Sequence, residues 1–163
     1  MFENLNKDEL EKLVSSLAWN DGFGCYTRAG LEKMMWNEIS SSVQYCVFMD
    51  IDDMHDLNER HGYDGVNERI KKSLMLRSTD YVAGQWFSGD EIIVLITKNS
   101  GRDNSDVSKF CERLQNSFIE NGISITIGVS NVSSFDLMQV VKPGFDLVQS
   151  AKREGRRGTI NFS

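Results

Sequence analysis

Trp86-Phe87-Ser88-Gly89-Asp90-Glu91-Ile92-Ile93-Val94-Leu95-Ile96 sets two adjacent carboxylates at a small-residue turn between two apolar runs. Tyr81 to Phe87 and Ile92 to Thr97 have the β-branched and aromatic composition of strands, and the short interval between them predicts a hairpin. A strand interior does not tolerate neighbouring carboxylates, so Asp90 and Glu91 belong at its tip. Forty residues before Asp90, Val43-Gln44-Tyr45-Cys46-Val47-Phe48-Met49 runs into Asp50-Ile51-Asp52-Asp53. Carboxylates at a strand end and at the tip of a neighbouring hairpin can share a divalent cation, an arrangement suited to nucleotide phosphates.

The rest of the chain reads as one α/β domain of 163 residues, long enough to bury a core. Asn6-Lys7-Asp8-Glu9 is a capping box, followed by Leu10, Leu13, Val14 and Leu17 at helical spacing. Asn20 to Gly24 ends that helix. A second helix is expected from Thr27 to Ile39, burying Leu31, Met34 and Met35. Val43 to Met49 is apolar nearly throughout, as in a strand covered on both faces. Asp53 to Arg60 and Asp64 to Leu76 predict helices, and Lys98 to Ser105 predicts a polar loop. Val107, Phe110, Cys111, Leu114 and Phe118 mark one face of a helix closed by Asn121-Gly122. Ile123 to Val129 predicts a strand. Phe135 to Lys152 predicts a helix in two pieces, split at Pro143-Gly144. Thr159 to Phe162 predicts a short last strand. The order implies a central mixed β-sheet flanked by helices.

The net charge of −6 argues against a nucleic-acid or anionic-membrane binder, because phosphate backbones demand clustered cations. Cys25, Cys46 and Cys111 lack metal-ligand spacing, and reduced cysteines in a cytosolic protein are expected. No stretch approaches the ~18 apolar residues of a membrane span, and the acidic N-terminus lacks a targeting signal. A cytoplasmic location follows as the expectation. His55 and His61 are expected to be solvated rather than metal ligands.

Ser88-Gly89-Asp90-Glu91-Ile92 together with Asp50-Ile51-Asp52 resembles the signature of the GGDEF family, the diguanylate cyclases. The likeness continues through Asn58 and Gly62, through Ile123 to Val129, and ends with Ala151-Lys152-Arg153-Glu154-Gly155-Arg156. It covers Asp21 to Phe162 and implies a palm-like α/β fold related to nucleotidyl cyclases, with residues 1–20 as a short N-terminal helix and 21–163 as the catalytic domain. Order and spacing, rather than any one motif, carry the resemblance.

The resemblance implies condensation of two GTP molecules into cyclic di-GMP with release of pyrophosphate, dependent on Mg²⁺ or Mn²⁺. Metal ligands would be Asp50, the Ile51 carbonyl, Asp90 and Glu91, with Asp90 and Glu91 also serving the attacking hydroxyl. Ser88 and Gly89 would let the backbone approach the nucleotide. Lys152 and Arg156, four apart near a helix end, would bind the triphosphate. Asn58 would contact guanine together with the residue nine positions later, Asn67. The family has Asp there, and an amide presents one acceptor and one donor group where a carboxylate only accepts. That leaves ATP open beside GTP. Tyr63, Val66, Ser88 and Ile92 are further departures. Arg77 and Asp80 resemble a product-binding inhibitory pair, but the seven residues between Asp80 and Ser88 lengthen the family's spacing.

Two substrates meeting face to face imply a homodimer, transient or driven by a regulatory protein partner. Two alternatives stand beside the cyclase. One is a degenerate domain that binds nucleotide or protein without turnover. The other is a cyclase of relaxed or ATP specificity.

Overall fold

The computed structural model describes residues 4–74, 81–98 and 104–163; Arg77 and Asp80 lie outside the described residues. Val43–Ile51 (β3) is the axis of the fold. Its odd-numbered residues Tyr45, Val47, Met49 and Ile51 enter one core cluster, while Cys46 and Phe48 enter the other. A strand buried on both faces has this near-continuous apolar pattern. Glu91–Thr97 (β5) and Ile125–Asn131 (β6) pair with β3 on either side, both antiparallel.

Tyr81–Gln85 (β4) forms the expected hairpin with β5. Two strands of two residues, Trp19–Asn20 (β1) and Cys25–Tyr26 (β2), extend the sheet beyond β4, and Ile160–Phe162 (β7) closes the opposite edge. The order is β1, β2, β4, β5, β3, β6, β7, and among the described residues β2–β4 and β6–β7 are the parallel pairs. The mixed sheet flanked by helices is therefore present. The β1–β2 ribbon escapes the sequence pattern because two-residue strands have no periodicity to read.

Lys7–Ala18 (α1) begins at the expected capping box: Glu9 N donates to Asn6 Oδ1 at 2.9 Å, and Asn6 Nδ2 donates to Glu9 Oε1 at 3.0 Å. Its Leu10, Val14 and Leu17 are exposed. The next helical stretch, α2, comprises Arg28–Gly30, a π-helical turn Leu31–Met35, and Trp36–Ile39. Here the expected inward face is corrected. Trp36 N donates to Leu31 O, five residues back, so the wider turn carries Trp36 to the buried side beneath Leu31. Met34 is left exposed, and Met35 is partly buried.

Met54–Leu74 (α3) holds both expected helices, separated at Gly62, whose φ of 71° lies in the left-handed region. Asn104–Glu120 (α4) buries Val107, Phe110, Cys111, Leu114 and Phe118 as anticipated. Together, α3 and α4 cover one face of the sheet. Leu137–Arg153 (α5) covers the other and is one helix, not two. Pro143 removes a helical hydrogen bond, yet Leu137, Val140, Val141, Val148 and Ala151 are buried along the helix and hold it to the sheet. Gly144 sits directly on Gly128 of β6, where an added Cβ would lie 3.0 Å from the Gly128 carbonyl oxygen. All three cysteines are buried and free, and burial pushes each thiol up to about 12.

Candidate functional site

The acidic cluster forms where β3 ends beside the β4–β5 hairpin. Asp50 pairs in register with Glu91 on one side and with Thr126 on the other. The hairpin tip is stitched to β3 by Ile51 N, which donates to the Asp90 carbonyl at 2.8 Å. Trp86 N donates to Glu91 O at 3.0 Å, and Glu91 N donates to Ser88 O at 3.2 Å, so Ser88 to Glu91 makes a tight turn. Ser88 serves both carboxylates: its Oγ donates to Asp90 Oδ1, and its N donates to Glu91 Oε1 at 3.1 Å. The Ser88 hydroxyl thus holds Asp90 in place. A Cβ on Gly89 would meet nothing within 4 Å, so the tip is open to close approach.

Asp50 is only 6% exposed, and among the described residues its Oδ1 has no hydrogen-bond partner. Burial pushes its carboxyl up to about 6; Lys152 opposes the rise, and the nearby Asp90 carboxylate adds to it. Lys152 reaches in from α5, its Nζ 3.2 Å from Asp50 Oδ2 and 3.4 Å from Asp52 Oδ1.

Asp52, which the strand-end motif includes but to which the sequence assigns no role, is a member of the site. It is buried, and its two oxygens accept from Thr126 Oγ1 at 2.8 Å and Ser124 Oγ at 2.7 Å. The signal was present in Ile123-Ser124-Ile125-Thr126-Ile127, where polar residues recur every second position in an apolar run. Thr126 Oγ1 also accepts from Gly158 N at 3.0 Å, tying the C-terminal loop to the cluster. Asp53 turns the chain from β3 into α3 with a φ of 53°, and its carboxylate pairs with Arg157 at 3.0 Å.

Arg156 does not stand one helical turn beyond Lys152. The helix ends at Arg153, and Gly155 at φ 73° redirects the chain. Arg156 then forks onto Glu154 at 2.7 and 2.9 Å and onto Asn161 at 2.6 Å. Asn58 and Asn67 both lie on α3 and are partly buried; among the described residues neither side chain has a hydrogen-bond partner. A Cβ on Gly22 would lie 3.6 Å from Asn67 Nδ2, so the β1–β2 loop borders that amide. His55 is exposed and pairs with Glu59. Among the described residues no three Asp, Glu, His or Cys side chains already converge on one point. A cavity of about 470 Å³ between Trp86, Phe87, Glu91 and α5 is mostly apolar and is not bordered by Asp50 or Asn58.

This architecture matches solved structures across nearly its whole length. The fold is that of a GGDEF domain. The coiled coil and GGDEF domain of DgcB from Caulobacter crescentus in complex with c-di-GMP aligns with a TM-score of 0.75 at 14% identity, covering 96% of this chain and 91% of that one. Diguanylate cyclase SiaD in complex with its activator SiaC from Pseudomonas aeruginosa aligns at 0.72 and 19% identity, over 94% of this chain and 65% of that one. This chain therefore spans just under two thirds of the SiaD chain. A microbial GGDEF domain with cyclic di-GMP aligns at 0.74 and 12% identity, over 90% and 99%. Neither a family model nor a curated protein matches the sequence. Among the described residues, no helix of this GGDEF fold is long and apolar enough to cross a membrane.

Proposed function

We propose that this GGDEF-fold domain is a diguanylate-cyclase-like enzyme that condenses two GTP molecules into cyclic di-GMP and releases pyrophosphate. The observation carrying this reading is Asp50. A carboxylate oxygen shut away from water without a partner is costly, and a cation satisfies it. The donor set fits Mg²⁺ or Mn²⁺, which take oxygen ligands: Asp50, the Ile51 carbonyl, Asp90 and Glu91 would hold it. Bound there, the cation would neutralise charge on the transferring phosphate and make the attacking 3′-hydroxyl more acidic.

The remaining work falls to the chain's own groups. Lys152 and Arg156 bind the triphosphate, once Arg156 releases Glu154. Asn58 and Asn67, whose amides have no partner among the described residues, read the base edge. Ser88 and Gly89 admit the nucleotide close to the backbone, and Ser88 orients Asp90. Each 3′-hydroxyl must meet the α-phosphate of the other nucleotide, so two copies act together, transiently or with a regulatory protein.

A non-catalytic receptor is the second reading, favoured by Asn67 in place of a carboxylate and by the hold of Glu154 and Asn161 on Arg156. Mass spectrometry of products from GTP, ATP or both, with Mg²⁺ or Mn²⁺, separates the readings. Cyclic di-GMP that disappears in Asp90→Ala/Glu91→Ala supports the cyclase. An adenine-containing cyclic product reassigns the substrate. Bound GTP without turnover at high protein concentration supports the receptor.

A further inference from the structure

We propose that Lys152 is the resident counterion of the acidic cluster, held over Asp50 by Asp52, and that a divalent cation enters only by displacing it. This deepens the metal reading above and rests on it. Three observations carry it. Lys152 is 19% exposed on its side chain, and Asp50 and Asp52 are 9% and 2% exposed on theirs, so the ammonium is enclosed rather than a surface pairing. Its distances of 3.2 and 3.4 Å exceed the ~2.7–2.9 Å of a tight charge-assisted hydrogen bond, so it bridges two carboxylates without closing fully on either. Asp52 is already fixed by two hydroxyls, whereas one oxygen of Asp50 has no partner among the described residues.

Asp52 thus acts as a positioning residue. It anchors the ammonium firmly enough to neutralise Asp50 in the metal-free domain, while Asp50 stays undersatisfied and ready for a stronger cation. Lysine suits this part: a compact charge on a flexible four-carbon stem can swing away, whereas a guanidinium fork is held by geometry. A cation and a displaced ammonium cannot share Asp50 without strong repulsion at this depth. The displaced ammonium is then available to a triphosphate, so metal and nucleotide would each favour the arrival of the other.

Mn²⁺ titration of the full chain without nucleotide, with free Mn²⁺ read by electron paramagnetic resonance, tests this. Lys152→Met is expected to bind Mn²⁺ about tenfold or more tightly than wild type, the scale of one unit charge removed from a partly buried site. Lys152→Arg keeps the charge but holds it by a fixed fork, so it should bind Mn²⁺ no more tightly than wild type. Arg153→Met, which makes the same change in net charge on the same helix, should alter affinity less than about twofold. Equal affinity in wild type and Lys152→Met, with binding abolished by Asp50→Asn, overturns the displacement while leaving the metal site standing. No saturable binding in wild type or Lys152→Met overturns both. Should Lys152→Met fail to fold, the wild-type protein still decides. Its Lys152 ammonium resonance, protected from exchange without metal, should lose protection on adding Mg²⁺, and an unchanged resonance at saturating Mg²⁺ overturns the proposal.

Discussion

Asp50 stands directly across the β3–β5 ladder from Glu91, and both residues are buried at the open end of the sheet. Two acids cannot be placed there without consequence. Burial has already raised Asp50 from 3.8 to about 6, and the cost of keeping it ionised falls on the fold.

The sign of the resulting pH dependence follows from linkage. The folded state binds the Asp50 proton more tightly than the unfolded chain, so this group's contribution is complete below pH 3.8 and is lost as pH rises through about 6. The loss amounts to at most roughly 3 kcal/mol. In chelator-treated protein, urea midpoints should fall between pH 4 and 7, and Asp50→Asn should flatten that slope. An unchanged slope in the variant would assign the titration to other groups.

Gly128 and Gly144 let α5 lie against the sheet with no side chain between them. A Cβ on Gly128 would sit 2.3 Å from the Gly144 carbonyl oxygen, a contact that cannot exist without moving the helix. Gly128→Ala should lower stability by about 1–3 kcal/mol or more. It should also loosen Lys152, which rides on the same helix. A thermal melt matching wild type would show that α5 can shift freely.

The π-helical turn makes a sharp contrast between neighbours. Trp36 is buried and its Nε1 donates to Phe135 O at 2.8 Å, whereas Met34 is 39% exposed. Trp36→Ala should cost about 3–5 kcal/mol, and Met34→Ala within about 0.5 kcal/mol. Chemical denaturation of the two variants checks the assignment; similar losses would mean a regular α-helical register.

Asn67 tests the proposed base reading. Introducing a carboxylate with Asn67→Asp should raise the preference for GTP over ATP on the order of tenfold, since a guanine edge then meets two acceptors. Equilibrium binding of both nucleotides with Mg²⁺ gives the ratio. No change in the ratio would remove Asn67 from base recognition.

Local chemistry made much of this molecule readable in the chain alone. Gly62 had to break α3 because only a residue without Cβ takes its left-handed φ cheaply. Asn6 and Glu9 had to start α1, and Asp90 and Glu91 had to sit at a turn, because each choice concerns groups a few residues apart. Val43 to Met49 could be read as a strand buried on both faces because its composition leaves no side for water.

Other features depended on groups distant in sequence and were decided only by packing. Pro143 does not divide α5, because Gly144 meets Gly128 from another strand and the apolar stripe on either side is buried together. Met34 yields the core to Trp36 because a π turn shifts the inward face by one residue. Arg156 leaves the direction of Lys152 because the helix stops at Arg153 and Glu154 and Asn161 capture the guanidinium. The sequence by itself determined which residues could be acids, turns and core; the tertiary structure alone decided that Lys152 and Asp52, 100 positions apart, share one buried charge site. Periodicity and capping are short-range, whereas the sign and strength of a buried charge depend on every group the fold brings within a few ångströms.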